Sequence, residues 1–568
     1  MRHLVVLALS ALAATLLIPA ASSAPAQQQT REYVVLYESG ASLEAARAAI
    51  RAAGGTIVRE NKSIGLATVR SQNAEFVTDA SATTALYGAA RNRPIGSARP
   101  MDHEKFEDER LQEVREASKG TSAAGGDTRA AQAQAENANF EPLAYLQWDM
   151  AQIRATKYES HDVQPGDKGV RVGIIDTGID ASHPDLATNF DAALSRNFTT
   201  DIELVDGPCA DEPDQSCSDP ADVDENGHGT HVSGTVAAEV NGLGIAGIAP
   251  NVTLVNLRAG QDSGFFFLQP SVDALTYAAN RGIDVVNMSY FIDPWLYNCR
   301  NNPADSPEAQ LEQRTIIRAT QRALRYAHDG GVTLIGAEGN EHTDLGNPTV
   351  DTISPDFPPG SEYPRQVDNG CLDLPTEGFE VISVSALGPS TQKADYSNYG
   401  VEQTAVSAPG GYFRDYLGTA KHRTPENLVL STYPESVARE LGEIDENGVP
   451  TTPFVLRDCV GQMCAYYTYF QGTSMASPHA VGVAALIVSE YGRNDRVLGG
   501  LRLNPDRTER ILKVTATDHA CPEPRLFTYV PVGRPADFDA FCAGSPRFNG
   551  FYGHGIVDAY SAVLGSRR

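Results

Sequence analysis

The chain has 568 residues, of which 41% are hydrophobic, so it can build one large domain with a substantial core and a second, smaller one. This composition excludes an intrinsically disordered protein. The formal net charge of −27 argues against nucleic acid or an anionic membrane as a partner, because both would repel the chain, although acidity can equally serve solubility alone.

The N-terminal segment has the organisation of a secretory signal peptide. Arg2 and His3 precede an apolar run over residues 4–18, and residues 24–26 have the sequence Ala-Pro-Ala, a small-residue cleavage site. The run is short for a membrane span, and no other segment approaches the roughly 20 consecutive apolar residues that a spanning helix needs. We therefore predict a signal peptide over residues 1–26 and a secreted, extracellular protein without a membrane anchor.

The eight cysteines of an exported chain are expected to form disulfide bonds, because export delivers them to an oxidising compartment. None has the spacing of a zinc finger. The sequence alone cannot choose among the many possible connectivities. Three pairs lie close together in the sequence and would leave Cys299 and Cys371 over: Cys209 with Cys217, Cys459 with Cys464, and Cys521 with Cys542.

Residues 32–100 have the pattern of a small separate domain. A strand-like segment, Tyr33–Tyr37, is followed by an Ala-rich helical pattern over Ser42–Ala53 and by two further strand-like segments, Thr56–Val58 and Ile64–Val69. This β-α-β-β order in so short a unit predicts a ferredoxin-like α+β module.

The segment after this module is predicted to be an exposed linker. From Met101 to about Ala138 the chain is first charged and then rich in Ala, Gln and Gly, with few large apolar residues to bury. We therefore place a linker at residues 101–139 and the start of a second domain near Phe140.

Residues 140–568 are predicted to form an α/β domain. Short apolar runs that end in polar residues alternate with helix-like segments, which is typical of a three-layer fold with a parallel sheet covered by helices on both faces. Active sites in such folds gather at the carboxyl ends of the strands. The predicted strands are Val170–Ile175, Val252–Leu257, Ile283–Met288, Val332–Ile335, Val381–Ser385 and Thr404–Val406, and the predicted helices are His228–Val240, Ser271–Ala279 and Glu308–Tyr326.

Two segments place candidate catalytic side chains at such positions. Asp176 follows the first predicted strand, although an Asp at this point often only caps a turn. His228 and His231 lie three residues apart at the start of a predicted helix. That spacing can also belong to a metal site, but no third ligand at a suitable spacing accompanies the pair.

Ser474 and Asn340 complete the set of candidates. Ser474 precedes an apolar, small-residue run over residues 480–487 that predicts a helix buried at the centre of the domain. It is either an ordinary N-cap or a nucleophile at a helix N-terminus, where backbone N–H groups favour a developing negative charge. Asn340 follows a predicted strand and offers a side-chain amide, or simply forms a Gly-Asn turn.

The chain order Asp176, His228, Ser474 resembles that of the subtilisin-type serine proteases, the subtilases. Each of the three motifs that carry this resemblance is weak to moderate alone, and together they are very specific. The motifs are Ile175–Gly178 (IDTG), His228–Thr235 (HGTHVSGT) and Gly472–His479 (GTSMASPH). Supporting matches at Asn287–Ser289, Ala337–Asn340 and Gly553–Ala559 extend the resemblance from about Phe140 to the C-terminus.

The resemblance implies an endopeptidase that hydrolyses polypeptides through an acyl-enzyme and needs no cofactor for the chemistry. It implies that His228 exchanges a proton with the nucleophile Ser474, that Asp176 orients and stabilises the imidazolium, and that Asn340 forms the oxyanion hole. His231 is expected to have a structural role. The expected substrate-binding residues are Ser289, Ala337, Glu338 and Gly339.

The small module is also similar to a part of that family. Residues 32–100 resemble its inhibitory propeptide, which implies a zymogen whose own propeptide is an intramolecular inhibitor. Maturation would then cut the linker at residues 101–139, because exposed small and polar segments are where proteases cleave.

Several positions depart from the family pattern. Tyr290–Ile292 stands where Leu-Gly-Gly is usual, which alters the upper binding cleft, and Glu338 stands where a small residue is usual. The primary pocket is therefore expected to be narrower or negatively charged. If Glu338 or Glu341 faces it, Lys or Arg before the scissile bond should be favoured. Surface insertions are predicted at residues 199–225, 295–307 and 411–464.

Three other classes of protein fit less well. An acid-active carboxyl-type serine peptidase would need Glu in place of His228, and an α/β-hydrolase esterase would need a Gly-x-Ser-x-Gly pentapeptide, which the sequence lacks. A non-catalytic binding protein with a protease fold would usually have lost a member of the triad, and all three are present.

A structural calcium site is a further hypothesis. The loop before His228 is crowded with carboxylates, and hard oxygen ligands in a flexible loop suit Ca²⁺. A solvated acidic loop closed by Cys209 and Cys217 is an equally good explanation. The carboxylates belong to Asp201, Glu203, Asp206, Asp211, Asp214, Asp219, Asp222 and Asp224.

Overall fold

The computed structural model of the chain describes residues 30–92, 141–210 and 215–564. The predicted signal peptide at residues 1–26 and the predicted linker at residues 101–139 lie outside these ranges. Within them, every helix is too short or too polar to cross a membrane.

The N-terminal module is a four-stranded antiparallel sheet with two helices. Its elements are β1 (Arg31–Tyr37), α1 (Leu43–Ala52), β2 (Gly55–Asn61), β3 (Leu66–Ser71), α2 (Phe76–Ser81) and β4 (Leu86–Asn92). The strands lie in the order β2-β3-β1-β4, and each neighbouring pair is antiparallel. The predicted β-α-β-β order describes the first four elements, and α2 and β4 complete a ferredoxin-like β-α-β-β-α-β unit.

A seven-stranded parallel sheet forms the centre of the large domain. Its strands are β5 (Arg171–Ile175), β6 (Arg196–Asn197), β7 (Thr253–Arg258), β8 (Val285–Met288), β9 (Thr333–Ala337), β10 (Val381–Leu387) and β11 (Val406–Pro409). They lie in the order β11-β10-β9-β8-β5-β7-β6. All six predicted strands are present, with ends shifted by a few residues, and the short edge strand β6 is the addition. The strand order changes direction between β5 and β8, which is where such sheets open a crevice.

Helices cover both faces of this sheet. They are α3 (Trp148–Gln152), α4 (Ser160–Val163), α5 (His228–Ala237), α6 (Leu268–Arg281), α7 (Pro307–Asp329), α8 (Glu435–Glu440), α9 (Thr473–Tyr491), α10 (Pro505–Thr515) and α11 (Ala559–Leu564). Val172 and Ile174 of β5 share one buried cluster with α5 and α9, whereas Ile175 shares another with α6 and α7. Because alternate side chains of a strand point to opposite faces, these helix pairs lie on opposite sides of the sheet, and the predicted three-layer fold is confirmed.

Helix α9 lies at the centre of the domain, as its small residues predict. Every residue of the helix from Thr473 to Val488 is buried. A Cβ at Gly482 would lie 2.6 Å from the Cβ of Ile248, so only glycine permits this close approach of the neighbouring segment.

A second, antiparallel sheet packs on α5. Its strands β12 (Val429–Tyr433), β13 (Val455–Val460) and β14 (Met463–Phe470) lie in the order β12-β14-β13. Strand β12 is buried, and the hydroxyls of Ser431 and Thr432 donate to the carbonyl oxygens of His231 and Thr230 at 2.6 and 2.7 Å. The prediction of a surface insertion is therefore wrong for β12, which supports the helix that begins with His228.

The remaining elements are short. Two-stranded pairs join Tyr297–Asn298 to Leu372–Asp373, Val350–Asp351 to Arg365–Gln366, Arg493–Asn494 to Leu501–Arg502, Leu526–Phe527 to Ala540–Phe541, and Gly544–Ser545 to Phe548–Asn549. Single 3-10 turns are found at Ala144–Leu146, Pro425–Asn427, Val530–Val532 and Ala536–Phe538.

All eight cysteines are paired in disulfide bonds. The three pairs that are close in sequence are bonded, and Cys299 and Cys371, which these pairs leave over, bond to each other across a separation of 72 residues. The Cys299–Cys371 bond adjoins the two-stranded pair that joins Tyr297–Asn298 to Leu372–Asp373.

The module packs on the large domain through one face of its sheet. Val34 and Leu36 of β1 share a buried cluster with α6 and α7. Tyr33 and Val35, on the opposite face of the same strand, pack against the module's own helices. The module's sheet therefore lies between its own two helices and the two helices of the large domain.

Candidate active site

Asp176 and His228 meet at the carboxyl edge of the parallel sheet. Strand β5 ends at Ile175, so Asp176 is the first residue beyond it, and His228 is the first residue of α5. Asp176 Oδ1 lies 2.8 Å from His228 Nδ1, and both side chains are buried. The carboxylate therefore accepts a hydrogen bond from Nδ1–H of His228. This bond orients the ring and directs Nε2 away from Asp176.

The buried carboxylate of Asp224 holds the loop before α5. Its Oδ2 accepts hydrogen bonds from the backbone N–H of Thr230 at 2.9 Å and from the hydroxyl of Thr230 at 2.6 Å. Its Oδ1 accepts one from the hydroxyl of Thr177 at 3.0 Å and others from the N–H groups of Asn226 and Gly227. A carboxylate at a helix N-terminus satisfies free N–H groups and interacts favourably with the positive end of the helix dipole. Because Asp224 bonds to both Thr177 and Thr230, it joins the start of α5 to the end of β5.

Ser474 lies in the first turn of α9, beside the end of β8. Its hydroxyl donates to the carbonyl oxygen of Ser289 at 3.4 Å, and the hydroxyl of Ser289 donates to the carbonyl oxygen of Ser474 at 3.1 Å. Ser289 is the residue after β8, so these bonds fix the helix start against the strand end. The Ser474 side chain is thus at the N-terminus of a buried helix, where N–H groups favour negative charge.

The amide of Asn340 points toward the same place. Its Oδ1 accepts hydrogen bonds from the N–H and the hydroxyl of Thr473 at 2.9 and 3.0 Å, which fixes the direction of its NH₂ group. A Cβ at Gly472 would lie 3.5 Å from Asn340 Nδ2 and 3.6 Å from the backbone nitrogen of Ser474. Both nitrogen atoms therefore lie beside the space over Gly472, which has φ 150° and no side chain to fill that space.

A cleft of 220 Å³ opens at Ser474. Ser289, Ala337, Gly339 and Asn340 line it together with Ser474. The structure thus brings together five of the residues that the sequence singles out.

Glu338 is the exception among the predicted substrate-binding residues, because its side chain does not line the cleft. It is fully buried, and its Oε1 accepts a hydrogen bond from the hydroxyl of Thr404 at 2.7 Å. Burial raises the pKa of the Glu338 carboxyl well above its ordinary value. Neighbouring side chains of an extended backbone point to opposite sides, so with Ala337 at the cleft Glu338 faces inward. Glu341 and Asp373 are the acidic residues that line the cleft.

Comparison with known proteins identifies the family. A family model described as the subtilase family matches residues 167–555. The chain belongs to the subtilase family. It is 29% identical to subtilisin DY from Bacillus licheniformis over 341 residues, 60% of this chain and 83% of that protein. It is also 29% identical to a thermophilic serine proteinase from Bacillus sp. (strain AK1) over 335 residues, 59% of this chain and 55% of that protein.

A solved structure supports the same fold. The epidermin leader peptide processing serine protease from Staphylococcus aureus aligns with a TM-score of 0.58 at 20% identity, covering 95% of this chain and 99% of that one. At this identity the likeness concerns the fold alone. With the family match, the chain is a subtilisin-like serine protease, and hence a hydrolase.

This subtilase has an aromatic wall on its cleft. The ring of Tyr290 stacks on that of Phe266 with centroids 4.2 Å apart and planes 6° apart. Both residues line the cleft together with Phe291. The departure from Leu-Gly-Gly therefore introduces a stacked aromatic pair at the substrate-binding edge. The sequence does not predict a role for Phe266, because this residue lies in a loop that carries no motif.

His231 packs structurally in this subtilase. Its Nε2 lies 3.1 Å from the carbonyl oxygen of Val429 and 3.2 Å from that of Thr468, and its ring stacks on Phe470 with centroids 4.6 Å apart. These contacts hold α5 against β12 and β14.

The acidic loop of this subtilase surrounds a buried arginine. Arg258, at the end of β7, forms ion pairs with Asp201 at 3.3 Å, with Asp262 at 2.8 Å and with Asp219. Oxygens of these three carboxylates lie within 4.8 Å of one another, a spacing that can hold a metal ion. The guanidinium already provides a cation at this position. Burial raises the pKa of the Asp262 carboxyl, and the adjacent charge of Arg258 lowers it.

Proposed function

We propose that residues 140–568 are the catalytic domain of a secreted serine endopeptidase with Asp176, His228 and Ser474 as its triad. The observation that carries this proposal is the 2.8 Å contact between Asp176 and His228, at the same edge of the sheet as Ser474 and its cleft. Polypeptides are the proposed substrates, and the chemistry needs only these side chains and water.

In the proposed reaction, Ser474 Oγ attacks the peptide carbonyl carbon while His228 Nε2 takes the hydroxyl proton. Asp176 accepts the Nδ1 proton in a hydrogen bond and stabilises the imidazolium by its charge. His228 then gives the proton to the leaving amine as the C–N bond breaks, and water hydrolyses the acyl-enzyme by the same transfers in reverse. Before attack, the Ser474 hydroxyl turns away from the Ser289 carbonyl, which needs rotation about a single bond.

The oxyanion of the tetrahedral intermediate is proposed to lie between Asn340 Nδ2 and the N–H of Ser474. The position of both nitrogen atoms beside the space over Gly472 supports this assignment. Donors that are already oriented cost no reorganisation when the charge develops, which is why such an arrangement lowers the barrier.

The cleft is proposed to favour Lys or Arg before the scissile bond. Glu341 and Asp373 both line it, and the chain as a whole carries a net charge of −27. A cationic side chain in the cleft would gain a charge-assisted contact, and the acidic surface would attract basic substrate segments.

The module at residues 32–100 is proposed to be an inhibitory propeptide that the enzyme removes by cleaving residues 101–139. Its docking on α6 and α7 supports this. Arg59 pairs with Asp273 of α6 at 2.5 Å, and Arg91 pairs with Glu308 of α7 at 2.5 Å. Asn61 Nδ2 also donates to Asp273 at 2.7 Å. A docked module of this kind can lower the barrier to folding a parallel sheet, whose contacts are distant in sequence.

Secretion remains a proposal supported by the N-terminal segment of the sequence and by the disulfide bonds. For the acidic loop we favour Arg258 over a calcium ion as the counter-charge, because its ion pairs already occupy three of the carboxylates. Asp211 and Asp214, which belong to the calcium hypothesis, lie outside the described residues.

Labelling with a fluorophosphonate probe tests the triad. The purified protein should react at Ser474, and Ser474→Ala should not be labelled and should lose about 10⁶-fold in kcat. Ser477→Ala is a matched control, because Ser477 lies one turn further along α9 and donates to Asn287 instead, at 2.8 Å. Labelling of Ser474→Ala at the parent rate would refute the assignment.

A further inference from the structure

A cluster of metal-ligand side chains lies outside the candidate active site. His328 is in the last turn of α7, Glu380 directly precedes β10, and Asp506 is in the first turn of α10. His328 Nε2 lies 3.1 Å from Asp506 Oδ1 and 3.6 Å from Glu380 Oε2. The three ligand atoms all lie within 4.8 Å of one another.

The two distances at His328 are close to the edges of a small coordination polyhedron. A tetrahedral zinc site with bonds of about 2.0–2.1 Å has ligand–ligand edges of about 3.3–3.4 Å. The two measured edges at His328 fall on either side of this value. The third edge, between the carboxylates of Glu380 and Asp506, is within 4.8 Å, and a bound ion would draw these two side chains together.

The donor set selects the class of ion. One imidazole nitrogen with two carboxylate oxygens suits Zn²⁺ and neighbouring transition metals, whereas Ca²⁺ and Mg²⁺ take oxygen ligands almost exclusively. The Asp506 side chain is 65% exposed and faces a groove of 600 Å³, so water can reach the remaining coordination position.

The surrounding charges do not block a cation. Arg493, Arg496 and Arg502 line the same groove, but so do Asp329 and Asp495. Arg502 pairs with Asp495 at 3.6 Å and donates to the carbonyl oxygen of Gly330, so its charge is engaged away from the cluster. This differs from the carboxylates around Arg258, where a guanidinium bonds directly to all three ligand candidates.

We propose that His328, Glu380 and Asp506 bind one divalent transition-metal ion, with Zn²⁺ the best match to the ligands. The bound ion ties the C-terminal end of α7 to the N-terminal end of α10 and to the start of β10. Because α7 also carries Glu308, which pairs with Arg91 of the module, the ion anchors the helix on which the module docks.

Zinc titration of the full-length Ser474→Ala chain tests the proposal without self-digestion. Metal-free protein should bind one Zn²⁺ at this site in calorimetry, and its melting temperature should rise with the zinc concentration, because the ion binds the folded state. His328→Gln and Asp506→Asn should each weaken this binding by at least about tenfold. Asp506 is mostly exposed, so its variant keeps the fold. Co²⁺ should give the intense visible absorption of a four-coordinate site.

His422→Gln is the matched control, because His422 is a partly buried histidine whose ring nitrogen Nδ1 lies 3.1 Å from a backbone carbonyl oxygen, that of Asp415. It should bind zinc as the parent does. If both His328→Gln and Asp506→Asn bind zinc with parental affinity and stoichiometry, any zinc is held elsewhere and the proposal is wrong. If the parent shows no saturable binding below about 1 mM, the three side chains form an ion pair only, which also overturns it.

Discussion

At the scale of single residues, the candidate site depends on polar groups that do not react. Asp224 binds the loop before His228 and the hydroxyl of Thr177 at once, so the strand that ends before Asp176 and the helix that begins with His228 keep one relative position. Thr473 does the same for Asn340. A displacement of about 1 Å in such a site can cost on the order of 100-fold in rate, which makes these supports as necessary as the reacting groups.

The contribution of Asn340 can be measured directly. Asn340→Ala removes one of the two donors that converge beside Ser474, and we expect kcat to fall about 10²–10³-fold with little change in KM, because the bond forms only to the developing oxyanion. Steady-state kinetics on a peptide substrate, with an unfolding curve to exclude misfolding, would measure it. An Asn340→Ala enzyme as active as the parent would remove Asn340 from the oxyanion hole.

The two glutamates that flank Asn340 should behave differently. Glu341→Gln should reduce kcat/KM for peptides with Lys or Arg before the scissile bond, by about tenfold for the loss of a charge-assisted contact, and leave apolar peptides unaffected. Glu338→Gln is the matched control. Its side chain is buried against Thr404 and does not line the cleft, so its replacement leaves the charge of the cleft unchanged. A peptide-library profile that is the same for both variants and the parent would rule out a basic preference set by Glu341.

At the scale of elements, β7 and the acidic loop are held together by one buried side chain. Arg258→Met leaves the carboxylates of Asp201, Asp219 and Asp262 without their counter-charge, and we expect it to lower the free energy of unfolding by about 3–5 kcal/mol. Urea unfolding in the Ser474→Ala background would measure the loss. Arg196→Met is the control. It removes an exposed arginine of the adjacent β6 that donates to backbone carbonyls and lies 5.8 Å from the centroid of the Tyr277 ring, and it should cost far less.

A calcium titration distinguishes the two possible counter-charges of the acidic loop, Arg258 and a bound calcium ion. If Arg258 provides the counter-charge, millimolar Ca²⁺ added to metal-free protein should leave the melting temperature unchanged. A calcium-dependent rise would instead show that the loop binds the ion, because a ligand that binds the folded state stabilises it.

At the scale of the whole molecule, the arrangement of module, linker and catalytic domain predicts how the protein matures. The parent should accumulate as a chain that starts within or just after residues 101–139, whereas secreted Ser474→Ala should keep residues from 27 onward attached, because no nucleophile is present to cut the linker. N-terminal sequencing and intact mass would establish both products. Ser477→Ala should be processed like the parent. A Ser474→Ala chain trimmed to the same N-terminus in a protease-free preparation would contradict self-processing.

The sequence by itself determined the fold class and the identity of the candidate reacting groups. Short sequence segments are enough to predict both. Apolar runs of strand length alternate with helical patterns, and this order allows few architectures other than a covered parallel sheet. Asp176, His228 and Ser474 each stand at an element boundary, which local residue preferences mark clearly.

Only the tertiary structure decided which charges face one another. Glu338 and Glu341 both flank Asn340 in the sequence. Glu338 is buried against Thr404, whereas Glu341 lines the cleft, because the chain turns between them at Gly339, with φ 96°. Arg258 and Asp201 are 57 residues apart, and His328 and Asp506 are 178 apart. A local sequence pattern determines the periodicity and the boundaries of helices and strands. Pairings between residues so far apart in the chain form only when the sheet has packed and excluded water, so no local motif predicts them.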